Sequence, residues 1–356
     1  MQEAVRGRGA RSNRSGRYEP ESREDFDDGW AVDDADVTPL RTSLAVEAAK
    51  TIITRNNSPD VGFDRSINPY RGCEHGCIYC YARPAHAWMG LSPGIDFESK
   101  LFYKPDAAAL LTEELKKPRY ECPPIHIGGN TDPYQPVERD TGVTRQILEV
   151  LQRFNHPLSI ISKSALMARD ADILGAMGRE GLAHACVSIT TLDRKLARAM
   201  EPRAATPAKR LETISRLTEA GCPVTVGFAP VIPGLNDHEL EAVLEAAAKA
   251  GAVRAMYVTL RLPLEIKDLF REWLEDARPD RAGRVMSLVR QTRGGKDYDA
   301  DWSQRMKGSG PVADLIAARF RAARKRYGLD QAAKPLDTSR FKIPASERVQ
   351  RDLFDF

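Results

Sequence analysis

Three of the six cysteines, Cys73, Cys77 and Cys80, fall in the stretch NPYRGCEHGCIYCYARPAHAWMG, spaced C-x3-C-x2-C. Thiolate-rich sites select zinc or iron–sulfur clusters. Spacing alone leaves both open. Zinc would complete a tetrahedral set with His75 or His86. A cubane iron–sulfur cluster held by three cysteines would leave one iron without a protein ligand. An open coordination position is how a metal site binds and activates something exogenous.

A scaffold must place this loop. From residue 66 onward, short apolar runs alternate with segments of helical period. PIHIGGN (124–130), LSIISKS (158–164), HACVSITT (184–191), PVTVGFAPVI (223–232) and AMYVTL (255–260) read as strands. Helical patterns follow at 141–154, 170–180, 207–221, 237–251 and from about Ile266. With a first short strand near SINPY and a helix over 106–117, the series gives six βα units. Thr206 before Pro207 predicts a helix start, Asn236 with Glu239 a capping box, and Gly221 and Gly251 helix ends. Repeated βα units demand a parallel sheet with right-handed crossovers.

The expected fold is α/β: a partial (β/α)6 TIM-type barrel with a disordered N-terminal tail and a helical C-terminal extension. A doubly wound open sheet is the alternative. The expected divisions are a tail over 1–40, a core over 60–265, a helical extension over 266–330 and a C-terminal tail over 331–356. In such a barrel, function collects at the carboxyl ends of the strands. Asn130, Thr131, Lys163, Ser188, Thr190, Ala229 and Pro230 all fall at such ends and converge on one rim beside the cysteine loop.

Composition is that of a globular protein: 356 residues, 42% hydrophobic and 29% charged, with a net charge of +3. That charge is too small to announce a nucleic-acid partner, so any basic surface is local. No stretch has the length of a membrane span, the arginine-rich start lacks an apolar signal core, and six cysteines do not read as a disulfide scaffold. The expected location is the reducing cytoplasm. Arg6, Arg8, Arg11, Arg14 and Arg17 precede an acidic run, which reads as a solvated tail or as a basic arm for phosphate backbone. The basic residues of the 311–327 helix read likewise, as a solvated face or a nucleic-acid surface.

Residue identity narrows the metal question. CEHGCIYCY, with an aromatic on each side of the last cysteine and placed after the first strand of a six-fold βα series, resembles the radical S-adenosylmethionine (SAM) superfamily. GGNTDPYQPVE, ISKSALMARD, VSITTLD, MEPRAATPAKRL and GFAPVIPGLND resemble its branch containing spore photoproduct lyase, the DNA-repair-photolyase-like branch. GRGARSNRSGRYE and KPLDTSRFKIP resemble a bacterial subgroup of unsettled substrate. The resemblance implies a [4Fe–4S] cluster on Cys73, Cys77 and Cys80 whose fourth iron chelates SAM. It implies reductive cleavage of SAM to a 5′-deoxyadenosyl radical that abstracts hydrogen, with a reductant protein such as flavodoxin or ferredoxin as electron source.

The resemblance further implies that Asn130 or Thr131 meets the SAM amino group and Lys163 its carboxylate. Ser188 would bind the ribose, the Ala229–Pro230 backbone the adenine edge, and Tyr79 would pack beside the adenine. Tyr79 and Tyr81 flank the last cluster cysteine where the branch has its hydrogen-return tyrosines. The branch's cysteine hydrogen donor is missing: GGNTD carries Asn130 in that place. Cys186 points the same way as Ser188, about 7 Å deeper by strand rise; Cys122 and Cys222 lie at the opposite end. The expected substrate is nucleic acid, in a lyase-like DNA repair. A peptide or small molecule is the alternative within the family, and a zinc-bearing nucleic-acid-binding protein is the alternative outside it. Gln350, Leu353 and Phe354 resemble the peptide by which bacterial repair proteins dock on the sliding clamp, with KPLDTSRFKIPASERV as a tether.

Overall fold

The computed structural model describes residues 7–19, 40–332 and 334–347. Ten strands form two sheets among these residues. β1 (Ser43–Val46), β4 (Tyr70–Arg71) and β5 (Lys100–Tyr103) make a small sheet flanking the cysteine loop. β2 (Ile53–Arg55) edges the large sheet, antiparallel to β3 (Arg65–Ile67). Then come β6 (Ile125–Ile127), β7 (Leu158–Ser162), β8 (Ala183–Ser188), β9 (Val224–Val231) and β10 (Arg254–Thr259). β3 and β6 to β10 are parallel neighbours in chain order: the six strands of a partial barrel.

Crossover helices α2 (Ala107–Leu115), α4 (Val143–Arg153), α5 (Ala171–Arg179), α7 (Pro207–Glu219) and α8 (Leu240–Lys249) cover the outer face. Three short helices, α1 (Ile95–Ser99), α3 (Glu138–Thr141) and α6 (Arg194–Met200), sit in loops. The extension contributes α9 (Ile266–Ala277), α10 (Ala282–Gln291) and α11 (Pro311–Arg326). In α4 the buried Val143, Ile147, Leu148, Val150 and Leu151 recur at helical spacing and press on the sheet. Truncating one such residue to Ala costs about 2–5 kcal/mol.

Strand alternation divides the barrel wall chemically. Ile125, Ile127, Leu158, Ile160, Ala183, Ala185, Val187, Val224 and Val226 point outward and form the core with the helices. The alternate residues face the barrel interior and are mostly polar: His126, Ser159, His184, Cys186, Thr225 and Arg254, with Ile161 and Met256 the apolar exceptions.

Local signals held at α7, where the Thr206 side chain accepts from the Lys209 amide and Gly221 ends the segment at φ +95°. They failed at α8. Asn236 caps nothing; its amide donates to the Thr190 and Pro230 carbonyls, while Glu239 reaches Thr191 and the Leu192 amide. Both side chains have been taken up by tertiary partners.

The disordered tail expected over 1–40 falls mostly on residues outside those described, but residues 7–19 depart from it. Ala10 is wholly buried. Arg11, Arg14 and Arg17 pair in turn with Asp276, Glu272 and Glu265, running antiparallel along α9. The expected free tether also departs. Phe341 packs on Phe154 and His156, and the Lys342 amide donates to the Phe154 carbonyl. Gln350, Leu353 and Phe354 lie outside the described residues. No helix among those described is long and apolar enough to cross a membrane.

Candidate functional site

The cysteine loop leaves β4 and is held from below by one side chain. Arg83 is wholly buried. Its Nε donates to the Cys77 carbonyl, Nη1 to Pro93 and Gly94, and Nη2 to Gly76 and the Glu98 carboxylate. All of its donor groups are thereby used, twice on carbonyls of the loop and twice on carbonyls of the turn before α1. Glu98 in turn accepts from the amides of Arg8, Gly9 and Ala10. The N-terminal segment therefore lies directly under the loop. A Cβ on Gly9 would sit 1.8 Å from the Gly76 carbonyl oxygen. Glu74, inside the loop, pairs with Arg203 at 2.6 Å and with Arg8.

Cys73 and Cys77 are buried and Cys80 is half-buried; all are free thiols. Burial pushes the Cys73 thiol well up, and Asp132 and the neighbouring Cys77 and Cys80 push it further. Burial likewise raises Cys77, with Glu201 adding and Lys163 opposing. Cys73 and Cys77 are therefore poor thiolates until positive charge replaces their protons, which is the demand a metal cluster meets. Among the described residues no three His, Cys, Asp or Glu side chains stand close enough to grip a single metal ion. The zinc alternative needs His75 or His86 beside the cysteines, and each ring has one nitrogen engaged. His75 Nδ1 faces Asp132 at 3.3 Å, and His86 Nε2 faces the Lys100 carbonyl at 2.9 Å.

The rim residues expected at the strand ends gather beside this loop. Lys163 Nζ lies 5.8 Å from the Tyr79 ring centroid and makes no ion pair among the described residues. Burial lowers its pKa, but Cys77 and Glu201 more than offset this and the net direction is up, so the ammonium stays charged. Ser188 is buried at the end of β8. The Ala229 carbonyl accepts from Thr190 and the Pro230 carbonyl from Asn236. The Asn130 amide donates to Asn68 Oδ1, which leaves its side chain uncommitted, whereas the Thr131 hydroxyl donates to the Tyr70 carbonyl.

The two tyrosines separate. Tyr79 is buried and its hydroxyl is bound to Glu201 and Thr190. Tyr81 is 45% exposed; its hydroxyl donates to the Gly129 carbonyl at 2.6 Å and Arg261 lies over its ring.

Sequence reading left out the groups that hold this rim. Glu201 is buried against Arg210, Tyr79 and Thr190. Burial raises its pKa, but Arg210 and Lys163 win and hold it at about 2. Asp132 accepts from Ser162 and from the Lys163 amide. Burial opposes its ionisation, yet His75 and these hydrogen bonds hold its carboxyl well below the usual range. The two acids lie in MEPRAATPAKRL and GGNTDPYQPVE, stretches that carry the family resemblance. In the first, an acid a short way before an arginine was the available signal.

Comparison with known proteins gives the family. An uncharacterized protein of Mycobacterium tuberculosis (strain H37Rv) is 34% identical over 66% of this chain and 70% of its own length. One from Methanocaldococcus jannaschii is 29% identical over 55% of this chain and 70% of its own. Spore photoproduct lyase complexed with dinucleoside spore photoproduct superposes with a TM-score of 0.54 at 15% identity, covering 80% of this chain and 79% of that one. That likeness is one of fold. The model of the radical SAM superfamily matches residues 67–247, spanning the cysteine loop and the strands to β9. The chain belongs to the radical SAM superfamily, whose enzymes use a [4Fe–4S] cluster and SAM.

Proposed function

We propose that Cys73, Cys77 and Cys80 hold the cluster and that this chain directs a SAM-derived radical at nucleic acid. When bound, the cluster supplies the electron that cleaves SAM to the hydrogen-abstracting 5′-deoxyadenosyl radical. The protein's work is positioning. Lys163 offers its free ammonium to the SAM carboxylate, a charge-assisted bond. Asn130 offers an uncommitted side chain to the amino group, ahead of Thr131, whose hydroxyl is already donated. Ser188 meets the ribose, the Ala229–Pro230 backbone the adenine edge, and Tyr79, fixed by Glu201, packs beside the ring. Tyr81, at the mouth, is better placed than Tyr79 to meet substrate. A one-electron donor protein such as flavodoxin or ferredoxin is the expected partner.

The nucleic-acid reading is carried by the mouth. Tyr81 and Trp302 are each 45% exposed. Arg261 lies 5.2 Å from the Tyr81 ring centroid, and Arg305, paired with Asp60, lies 4.3 Å from that of Trp302. Aromatic faces beside arginines stack bases and attract phosphates. A spore photoproduct lyase of the same fold is complexed with a dinucleoside photoproduct. In a DNA-linked role, the Gln350, Leu353 and Phe354 pattern would dock a sliding clamp. A peptide or small-molecule substrate is the second reading, favoured by the polar cavity inside the barrel. The deciding experiment is anaerobic reconstitution with iron, sulfide, reductant and SAM, then assay of 5′-deoxyadenosine with and without single- and double-stranded DNA. Stimulation by DNA supports the first reading; cleavage unaffected by any DNA removes it.

A further inference from the structure

Branched apolar side chains fill the interior of an ordinary βα barrel. Here polar side chains stand on the interior face and line an open cavity of about 450 Å³. Register arranges it in layers. His126, Ser159 and His184 align across β6, β7 and β8. Ile161, Cys186, Thr225 and Arg254 align one layer nearer the rim. Ser188, Gly227 and Met256 form the next layer, about 7 Å higher by strand rise. α11 contributes Arg324 to the same cavity.

The charges are unbalanced. Arg254 and Arg324 line the cavity, and the Nε of each is buried without a hydrogen bond. Among the described residues neither side chain has an ion-pair partner. Arg83, Arg210 and Arg305 have acid partners in Glu98, Glu201 and Asp60, and the buried Arg293 spends its guanidinium on the Thr259, Leu260 and Gln304 carbonyls. The cavity's one acid, Asp330, is exposed and meets Arg254 only through its backbone. Burial holds His126 and His184 at about 4, so both imidazoles are neutral near pH 7 and add hydrogen-bonding capacity without charge. Half-buried guanidinium groups left unpaired cost free energy that a bound anion returns.

We propose that the barrel interior is an anion subsite in which Arg254 and Arg324 hold the phosphate or carboxylate of a ligand. If Lys163 and Ser188 hold SAM, as the proposed function has it, that ligand is the substrate, with its reacting carbon one layer higher near Ser188. Gly227 keeps the passage clear. A Cβ there would stand 3.3 Å from both Cys186 Sγ and Ser188 Oγ.

The test is calorimetric titration of the cluster-loaded full chain with pyrophosphate and, separately, malonate. It reads no SAM cleavage, so it stands or falls apart from the radical chemistry. The expected result is saturable binding of at least one anion, weakened tenfold or more in Arg254→Gln and in Arg324→Gln and unchanged in Arg326→Gln on the exposed side of α11. Preference for pyrophosphate would mark a phosphate ester, preference for malonate a carboxylate. On the unaltered chain, the anion should protect Arg254 and Arg324 from phenylglyoxal, read by peptide mass spectrometry. Absence of saturable binding, or equal modification of both arginines with and without anion, overturns the proposal.

Discussion

Arg83 and Glu98 form an ion pair in which both side chains are wholly buried. The pair joins the carbonyls of the cysteine loop to the amides of residues 8–10, so the N-terminal segment and the candidate cluster site share one support. Arg83→Met leaves Glu98 buried without a cation and should lower the unfolding free energy by about 3–5 kcal/mol. Urea denaturation of the cluster-loaded protein measures this. An unchanged midpoint would mean the pair contributes nothing to the loop.

Gly9→Ala attacks the same support from the other side. With a Cβ forced against the Gly76 carbonyl, the segment must lift. The variant should be cleaved within residues 7–19 at least tenfold faster in limited proteolysis, and should lose iron to a chelator faster. Proteolysis at the native rate would return residues 7–19 to the status of a loose tail.

Lys163→Ala should weaken SAM binding by about 1.5–3 kcal/mol, the range for hydrogen bonds to charged groups, with the cluster retained. Equilibrium dialysis with labelled SAM reads it. An unaltered dissociation constant would remove Lys163 from the carboxylate site.

Glu201 gives a pH signature. Its folded pKa of about 2 lies below the ordinary carboxylate value, so the stability it adds is fully present above about pH 4.5 and lost as pH falls toward 2. The contribution is roughly 3 kcal/mol by linkage. Glu201→Gln should destabilise the protein at pH 7 and flatten that part of its acid-unfolding profile relative to the parent. Parallel profiles for the two proteins would contradict the assignment.

The six βα units were legible because apolar period and helix stops are local properties of the chain. Residues 7–19 were not. Their arginines read as a solvated run because each acid partner lies far away: Glu74 for Arg8, Asp276 for Arg11, Glu265 for Arg17. The capping-box reading at Asn236 failed for the same reason, since Thr190 and Glu239's partners are set by the fold. The cysteines and Lys163 could be named from spacing and strand ends. Glu201, Arg83 and Asp132 hold those residues in place through contacts that only packing reveals.

The clamp pattern makes a separate prediction. The chain is pinned to the barrel through Phe341, so the clamp must be reached by the short C-terminal stretch beyond residue 347. A peptide of residues 345–356 should bind purified sliding clamp, and one with Leu353→Ala and Phe354→Ala should bind at least tenfold more weakly. Equal binding of the two peptides would end the clamp reading.

The most direct test of the central claim compares the parent protein with Cys77→Ala after anaerobic reconstitution, in the presence of SAM and a one-electron reductant. The account predicts brown, cluster-bearing parent protein that forms 5′-deoxyadenosine, and a variant with neither cluster absorbance nor product. 5′-Deoxyadenosine formed by Cys77→Ala at the parent's rate would contradict it.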